Sequence, residues 1–223
     1  MESALTTETS IDWSAIPIRE IRSRLDPALP RLFDIYQQSF PVEEQVLISF
    51  FWETLARKEQ EEAAAFHLDV LAHETEVAGF ALYEIGDEVE GLGRGGYLWF
   101  LAAHSALRGG GIGKRLYHHV RAEAFARYGC RALFFEIEER ADALKRHGPE
   151  AADYAEWRKA WYKRQGAFEL QGTRYLCGVG WQPAIPMQVM AHPNGPLTPE
   201  EALRLAHSVQ DEAIEVIGEL TLV

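Results

Sequence analysis

Residues 97–116 constrain the fold more than any other stretch of the chain. Tyr97 to Ala102 is a nearly continuous apolar run, the pattern of a central strand buried on both faces. Arg108-Gly109-Gly110-Gly111 follows, and Ile112, Leu116, Val120 and Ala124 then recur at helical spacing up to Gly129. The pattern predicts a strand, a glycine loop and a helix over about 112–128. Glycines let main-chain N–H groups approach an anion closely. A helix start adds free N–H donors and a partial positive charge. A phosphate or diphosphate fits such a place, with Arg108 and Lys114 adding positive charge and Gly113 just inside the helix.

Two other phosphate motifs are excluded by letter. A Walker A loop needs Gly, four residues, then Gly-Lys-Ser/Thr, but Gly113-Lys114 is followed by Arg115 and position 108 is arginine. A dinucleotide fingerprint would need glycine at 114 or 116, where Lys114 and Leu116 stand. What fits is Arg-x-x-Gly-x-Gly over Arg108, Gly111 and Gly113. This spacing resembles the acyl-CoA diphosphate loop of the GNAT family of N-acetyltransferases. A second segment, Trp161-Tyr162-Lys163-Arg164-Gln165-Gly166-Ala167-Phe168, is similar to that family's later helix, which carries a tyrosine, ends at glycine and feeds a strand opening on an aromatic residue. The resemblance spans about residues 16–180, with these two motifs as its sharp points.

The rest of the chain reads as a mixed set of elements. Ile16, Ile18 and Ile21 suit a first strand. Asp26-Pro27 opens a helix carrying Leu29, Leu32, Phe33, Tyr36 and Phe40, which Pro41 ends. Glu43 to Lys58 reads as a second helix. Phe66–Ala72 and Val77–Ile85 read as a hairpin, 86–96 as loop, and Ala132–Ile137 as an apolar strand. Residues 140–152 read as polar loop, followed by a helix from Tyr154 to Gly166 and strands at Phe168–Tyr175 and Pro186–Ala191. Thr198-Pro199-Glu200-Glu201 is a capping box that starts a C-terminal helix. The fold class is α+β (mixed α/β), and the resemblance implies a mostly antiparallel GNAT-like sheet flanked by helices. Residues 1–13 read as a flexible arm, 14–195 as the acetyltransferase domain and 196–223 as a helical extension on the same domain. Leu203, Val209 and Ile217 give that extension an apolar face for packing or for a homodimer contact.

The 223 residues carry a formal net charge of −12, which disfavours nucleic acid as a partner and steers cations, amines among them, toward the surface. The same charge also serves solubility. Cys130 and Cys177 show no metal-ligand spacing and suit a reducing compartment. No apolar run is long enough to span a bilayer, and the start of the chain is polar and acidic, so the expected location is the cytoplasm with no membrane partner.

Acetyl transfer to an amine needs the acyl donor held, the amine neutral, an oxyanion donor and a hydrogen bond or proton for the departing thiolate. By resemblance, acetyl-CoA is the co-substrate, held by Arg108, Gly109, Gly110, Gly111, Ile112, Gly113 and Lys114. Leu101, Ala102 and Ala103 would pair with the pantetheine arm and polarise the thioester. Tyr162 takes the family's place for the acid beside sulfur. Glu136 and Glu138, at i and i+2, share one face of a strand end, so either carboxylate, or water, serves as base. Glu44, after Phe40-Pro41, lies in a region that often walls the acceptor pocket in this family; two glutamates in a first helical turn also act as dipole partners. His104 is a second base candidate or a structural loop residue. Where many members carry an asparagine before the tyrosine, this chain has Ala155; Arg158 stands one turn before Tyr162, as a substitute grip or as a surface residue. The expected function is transfer from acetyl-CoA to an amine of a small molecule or peptide; the alternative is a non-catalytic acyl-CoA-binding or regulatory module.

Overall fold

The computed structural model describes residues 11–60, 65–178, 184–210 and 214–223. Most of the expected flexible arm, residues 1–10, lies outside them. The described strands form one eight-stranded sheet, in the order β1-β2-β3-β4-β5-β7-β6-β8. The strands are β1 (Ile18–Glu20), β2 (Phe66–His73), β3 (Glu76–Val89), β4 (Gly93–Ala103), β5 (Cys130–Glu138), β6 (Phe168–Cys177), β7 (Ile185–Pro193) and β8 (Ile214–Leu222). Every neighbouring pair is antiparallel except β4–β5.

Helices cover both faces, which is why the central strands carry apolar residues at consecutive positions. On one face α1 (Leu29–Ser39) and α2 (Ile48–Gln60) bury Leu32, Tyr36 and Phe51 against Phe80, Leu82 and Phe100. On the other, α3 (Ile112–Ala122) and α5 (Pro149–Arg164) pack against Ala81, Tyr83, Leu133 and Phe135. The C-terminal helix α6 (Pro199–Gln210) seats Ala202, Leu205 and Ala206 on Tyr97, Phe134 and Val189. Its capping box is formed: the Thr198 N–H donates to Glu201 Oε2 at 2.9 Å, and the Glu201 N–H donates to Thr198 Oγ1 at 3.2 Å.

Four expectations are corrected. Residues 86–96 are mostly strand rather than loop, since β3 runs to Val89 and β4 starts at Gly93. Residues 140–152 are helical, as α4 (Arg140–His147) and the first turn of α5. Only Ala143 of α4 is buried, so no apolar stripe marks it; Arg146 pairs with Asp142 one turn back, and Gly148, at φ +87°, separates it from Pro149. Residues 43–58 are not one helix. A single 3₁₀ turn, Val42–Glu44, ends in extended backbone at Gln45, whose side-chain amide donates to the Phe40 carbonyl at 2.7 Å. The C-terminal extension is not wholly helical: after α6 the chain returns as strand β8 along β6. Ile217 therefore leaves the helix face and is exposed on an edge strand.

Candidate active site

The parallel pair β4–β5 is where the sheet opens. Its register runs only from Arg94↔Cys130 to Tyr97↔Phe134, and β4 beyond Tyr97 pairs with β3 alone among the described residues. A bulge helps: Leu82 faces Phe100 and Tyr83 faces Leu98, so Trp99 is the extra residue that bends β4. The main-chain groups of Leu101, Ala102 and Ala103 on the β5 side are thus left without a strand partner, and such groups need one. Gly79 lets β3 and β4 hold this course: a Cβ there would sit 2.5 Å from the Ala102 carbonyl oxygen and 2.9 Å from Leu116 Cδ1.

At the far end of β4 the chain makes a 3₁₀ turn, Ser105–Leu107, and enters the glycine loop. Gly109 and Gly111 take φ of +84° and +81°, which side chains adopt only under strain, and nothing lies within 4 Å of a Cβ built at either or at Gly113. Arg115 N–H donates to the Gly111 carbonyl, so the N–H groups of Ile112, Gly113 and Lys114 are free of helix bonds and point out of the helix start. Arg108 and Lys114 are exposed beside them. The residues fit a diphosphate: open space, free donors and a positive helix end. Arg115 itself is turned inward, its guanidinium bonded to the carbonyls of Trp13 and Ile16. His104 is structural. Its Nδ1 accepts from the Ala106 N–H at 3.3 Å, and its Nε2 lies 2.7 Å from Arg31.

Between the splayed strands lies a cavity of about 520 Å³, within the usual range for small-molecule sites. Tyr162, Glu136, Glu138 and Glu44, taken from three separate stretches of sequence, all line it, together with Leu101. Glu44 turns inward because the chain breaks at Gln45; it is 8% exposed, and its Oε1 has no hydrogen-bond partner, with Arg146 4.0 Å away. Burial raises its pKa, against the pull of Arg158 and Arg146.

The two strand carboxylates differ. Glu138 is paired with Arg158, which lines the cavity and corrects the surface reading of that arginine. Glu136 Oε2 is buried without a partner. Burial first, and the charge of Glu44 second, push its pKa up to about 8. Tyr162 stands against Phe135, with ring centroids 4.3 Å apart, and against Tyr117 at 5.1 Å. Burial raises its pKa to about 12 while the Arg158 charge pulls it down. Trp157 is exposed and stacks on Tyr154, so it does not wall this site; Ala155 is buried in the α3–α5 core.

Sequence reasoning had not placed Phe40, Phe50, Trp99 and Phe100 together, yet they line the same cavity as the carboxylates. A usable signal was the aromatic density of residues 40–51 just before the predicted hairpin. Arg158 could be found only from its burial.

A sequence model of the acetyltransferase (GNAT) family matches residues 29–147. Among solved structures, a GNAT-family protein from Bacteroides thetaiotaomicron is 22% identical, with a TM-score of 0.62 over 87% of this chain and 98% of that one. Arabidopsis thaliana NAA60 in complex with acetyl-CoA is 16% identical, with a TM-score of 0.57 over 80% and 98%. The aminoglycoside 6'-N-acetyltransferase from Enterococcus faecium is 19% identical, with a TM-score of 0.51 over 82% and 99%. At these identities the likeness is one of fold. No curated relative matches the chain in sequence.

Proposed function

Because this chain belongs to the acetyltransferase (GNAT) family, we propose that it moves an acetyl group from acetyl-CoA directly to an amine, with Glu136 as base and Tyr162 as hydrogen-bond donor to the leaving sulfur. One observation carries the reading: a carboxyl group buried without a hydrogen-bond partner and a phenol share one cavity at the split between β4 and β5. The free N–H groups of 112–114 would hold the diphosphate, and the unpaired edge of Leu101–Ala103 would hold the pantetheine amides. Acetyl-CoA supplies the activated acyl group; the chain supplies position and proton transfer.

The amine arrives as an ammonium, and Glu136, ionised above pH 8, takes one of its protons. The N–C bond then forms and the C–S bond breaks, the second proton on nitrogen passes to the departing sulfur, and Glu136 returns the first to solvent. A thiol has an ordinary pKa of about 8.5, well below that of Tyr162 at about 12. The phenol therefore stays protonated and stabilises the departing thiolate by hydrogen bonding rather than by outright transfer. Glu138 holds Arg158, whose charge keeps the Tyr162 O–H a better donor than burial alone would leave it. A retained acid and base in one cavity favour turnover over a non-catalytic binding module.

The test is a pH profile. With saturating acetyl-CoA, kcat/KM for an amine should rise with pH through a limb near 8, because the base works only once deprotonated. In Glu136→Gln that limb should vanish, with activity down roughly a hundredfold or more. A full-strength limb in the variant would assign the base elsewhere.

A further inference from the structure

The acceptor pocket combines two chemistries. Glu44 and Glu136 each keep a buried carboxylate oxygen with no hydrogen-bond partner. Phe40, Phe50, Trp99 and Phe100 line the same cavity and give it an aromatic wall. Among the described residues the lining has one positive charge, Arg158, and Glu138 already occupies it. Arg146 lies 4.0 Å from Glu44 Oε1 but also pairs with Glu43 and Asp142, so carboxylates outnumber cations around the pocket. The Trp99 indole N–H is spent on Glu84 Oε2, 3.1 Å away, so the wall is apolar toward the cavity.

Resting on the transferase reading, we propose that the acceptor is a primary monoamine on an aromatic or bulky apolar body, its ammonium between Glu44 and Glu136 and its body against Phe40, Phe50, Trp99 and Phe100. Desolvating an ammonium is costly unless buried charge and hydrogen bonds replace its water; Glu44 supplies the charge, and the free oxygens of Glu44 and Glu136 accept the hydrogen bonds. Aromatic faces bind the apolar body and also attract the cation. The same arithmetic excludes other amines. An amino acid brings a carboxylate toward Glu44 and Glu136, and Arg158, the one cation among the described lining residues, is paired with Glu138. A peptide or an aminocyclitol brings more amides or hydroxyls than Gln210 Nε2 and Arg158 Nε, the unpartnered buried donors of the described lining, can meet. A polyamine brings further charges for an aromatic wall to desolvate.

The experiment measures thiol release from acetyl-CoA with phenethylamine, L-phenylalanine, spermidine, a tetrapeptide and kanamycin. Phenethylamine should give the highest kcat/KM, exceeding that for L-phenylalanine by roughly a hundredfold or more. Benzyltrimethylammonium, which cannot be acetylated, should compete with the amine and not with acetyl-CoA. Glu44→Gln should raise KM for phenethylamine about tenfold and narrow the discrimination against L-phenylalanine, with calorimetric affinity for acetyl-CoA retained as the sign of an intact fold. Preference for any other member of the panel, or acetyl-CoA binding with no turnover of phenethylamine, overturns this inference and leaves the transferase reading standing. Absence of acetyl-CoA binding overturns the reading beneath it.

Discussion

The proton roles proposed for Glu136 and Tyr162 rest on one cause acting on two acids of different strength. Burial disfavours the charged form of each, raising a carboxyl to about 8, where it can exchange a proton near neutrality, and a phenol to about 12, where it stays a donor. Tyr162→Phe removes only the O–H, so kcat should fall about 10² to 10³-fold while the Kd for acetyl-CoA, measured by calorimetry, stays within error. Equal kcat in the two proteins would remove the phenol from the mechanism. At this scale the glycines of the loop were legible in sequence, because positive φ and close approach are demands that residue identity records. The choice between Glu136 and Glu138 was not. Spacing puts both on one face of β5, but the pairing of Glu138 with Arg158 depends on where α5 lies. The burial of Glu44 was equally hidden, since it follows from the chain break at Gln45 rather than from any helical pattern.

At the scale of elements, the site exists because β4 and β5 pair for a few residues and then part. A bulge at Trp99 and a close approach at Gly79 set the course of β4. Gly79→Ala should therefore lower Tm, by a destabilisation of about 1–3 kcal/mol, and also weaken acetyl-CoA binding, because the clash falls on Ala102. Thr198→Ala should cost about 1 kcal/mol through the α6 cap and leave acetyl-CoA affinity unchanged, since α6 packs away from the loop. Thermal melts paired with calorimetry separate the two; equal loss of affinity in both would show that the site responds to stability alone. The strand, loop and helix of residues 97–128 were readable because apolar periodicity and glycine punctuation agree there. Helix α4 and strand β8 were not, since α4 buries only Ala143 and β8 buries mainly Ile214, leaving no face pattern to read.

For the whole molecule, a buried ionic cluster ties β1, α2 and β2 together away from the cavity. Glu20 accepts from Lys58 and lies 2.7 Å from His67 Nδ1. Those partners outweigh burial and hold its pKa at about 2. The stabilisation is present above the ordinary carboxylate value and is lost as pH falls from there toward 2. His119, raised by Asp69 at 2.8 Å, acts in the opposite sense: its contribution is present at low pH and fades as pH rises through its elevated value. Urea melts should give a stability maximum between these limits, and Glu20→Gln should flatten the acid limb; an unchanged acid limb would place acid sensitivity elsewhere. The proposed function turns on the open cradle at 109–114 binding the cofactor. Calorimetric titration with acetyl-CoA tests that most directly. Wild type should bind one molecule per chain, and Gly111→Glu, which places a carboxylate over the free N–H groups of 112–114, should show no binding while still folding. No heat with wild type, or equal affinity in the variant, would contradict it.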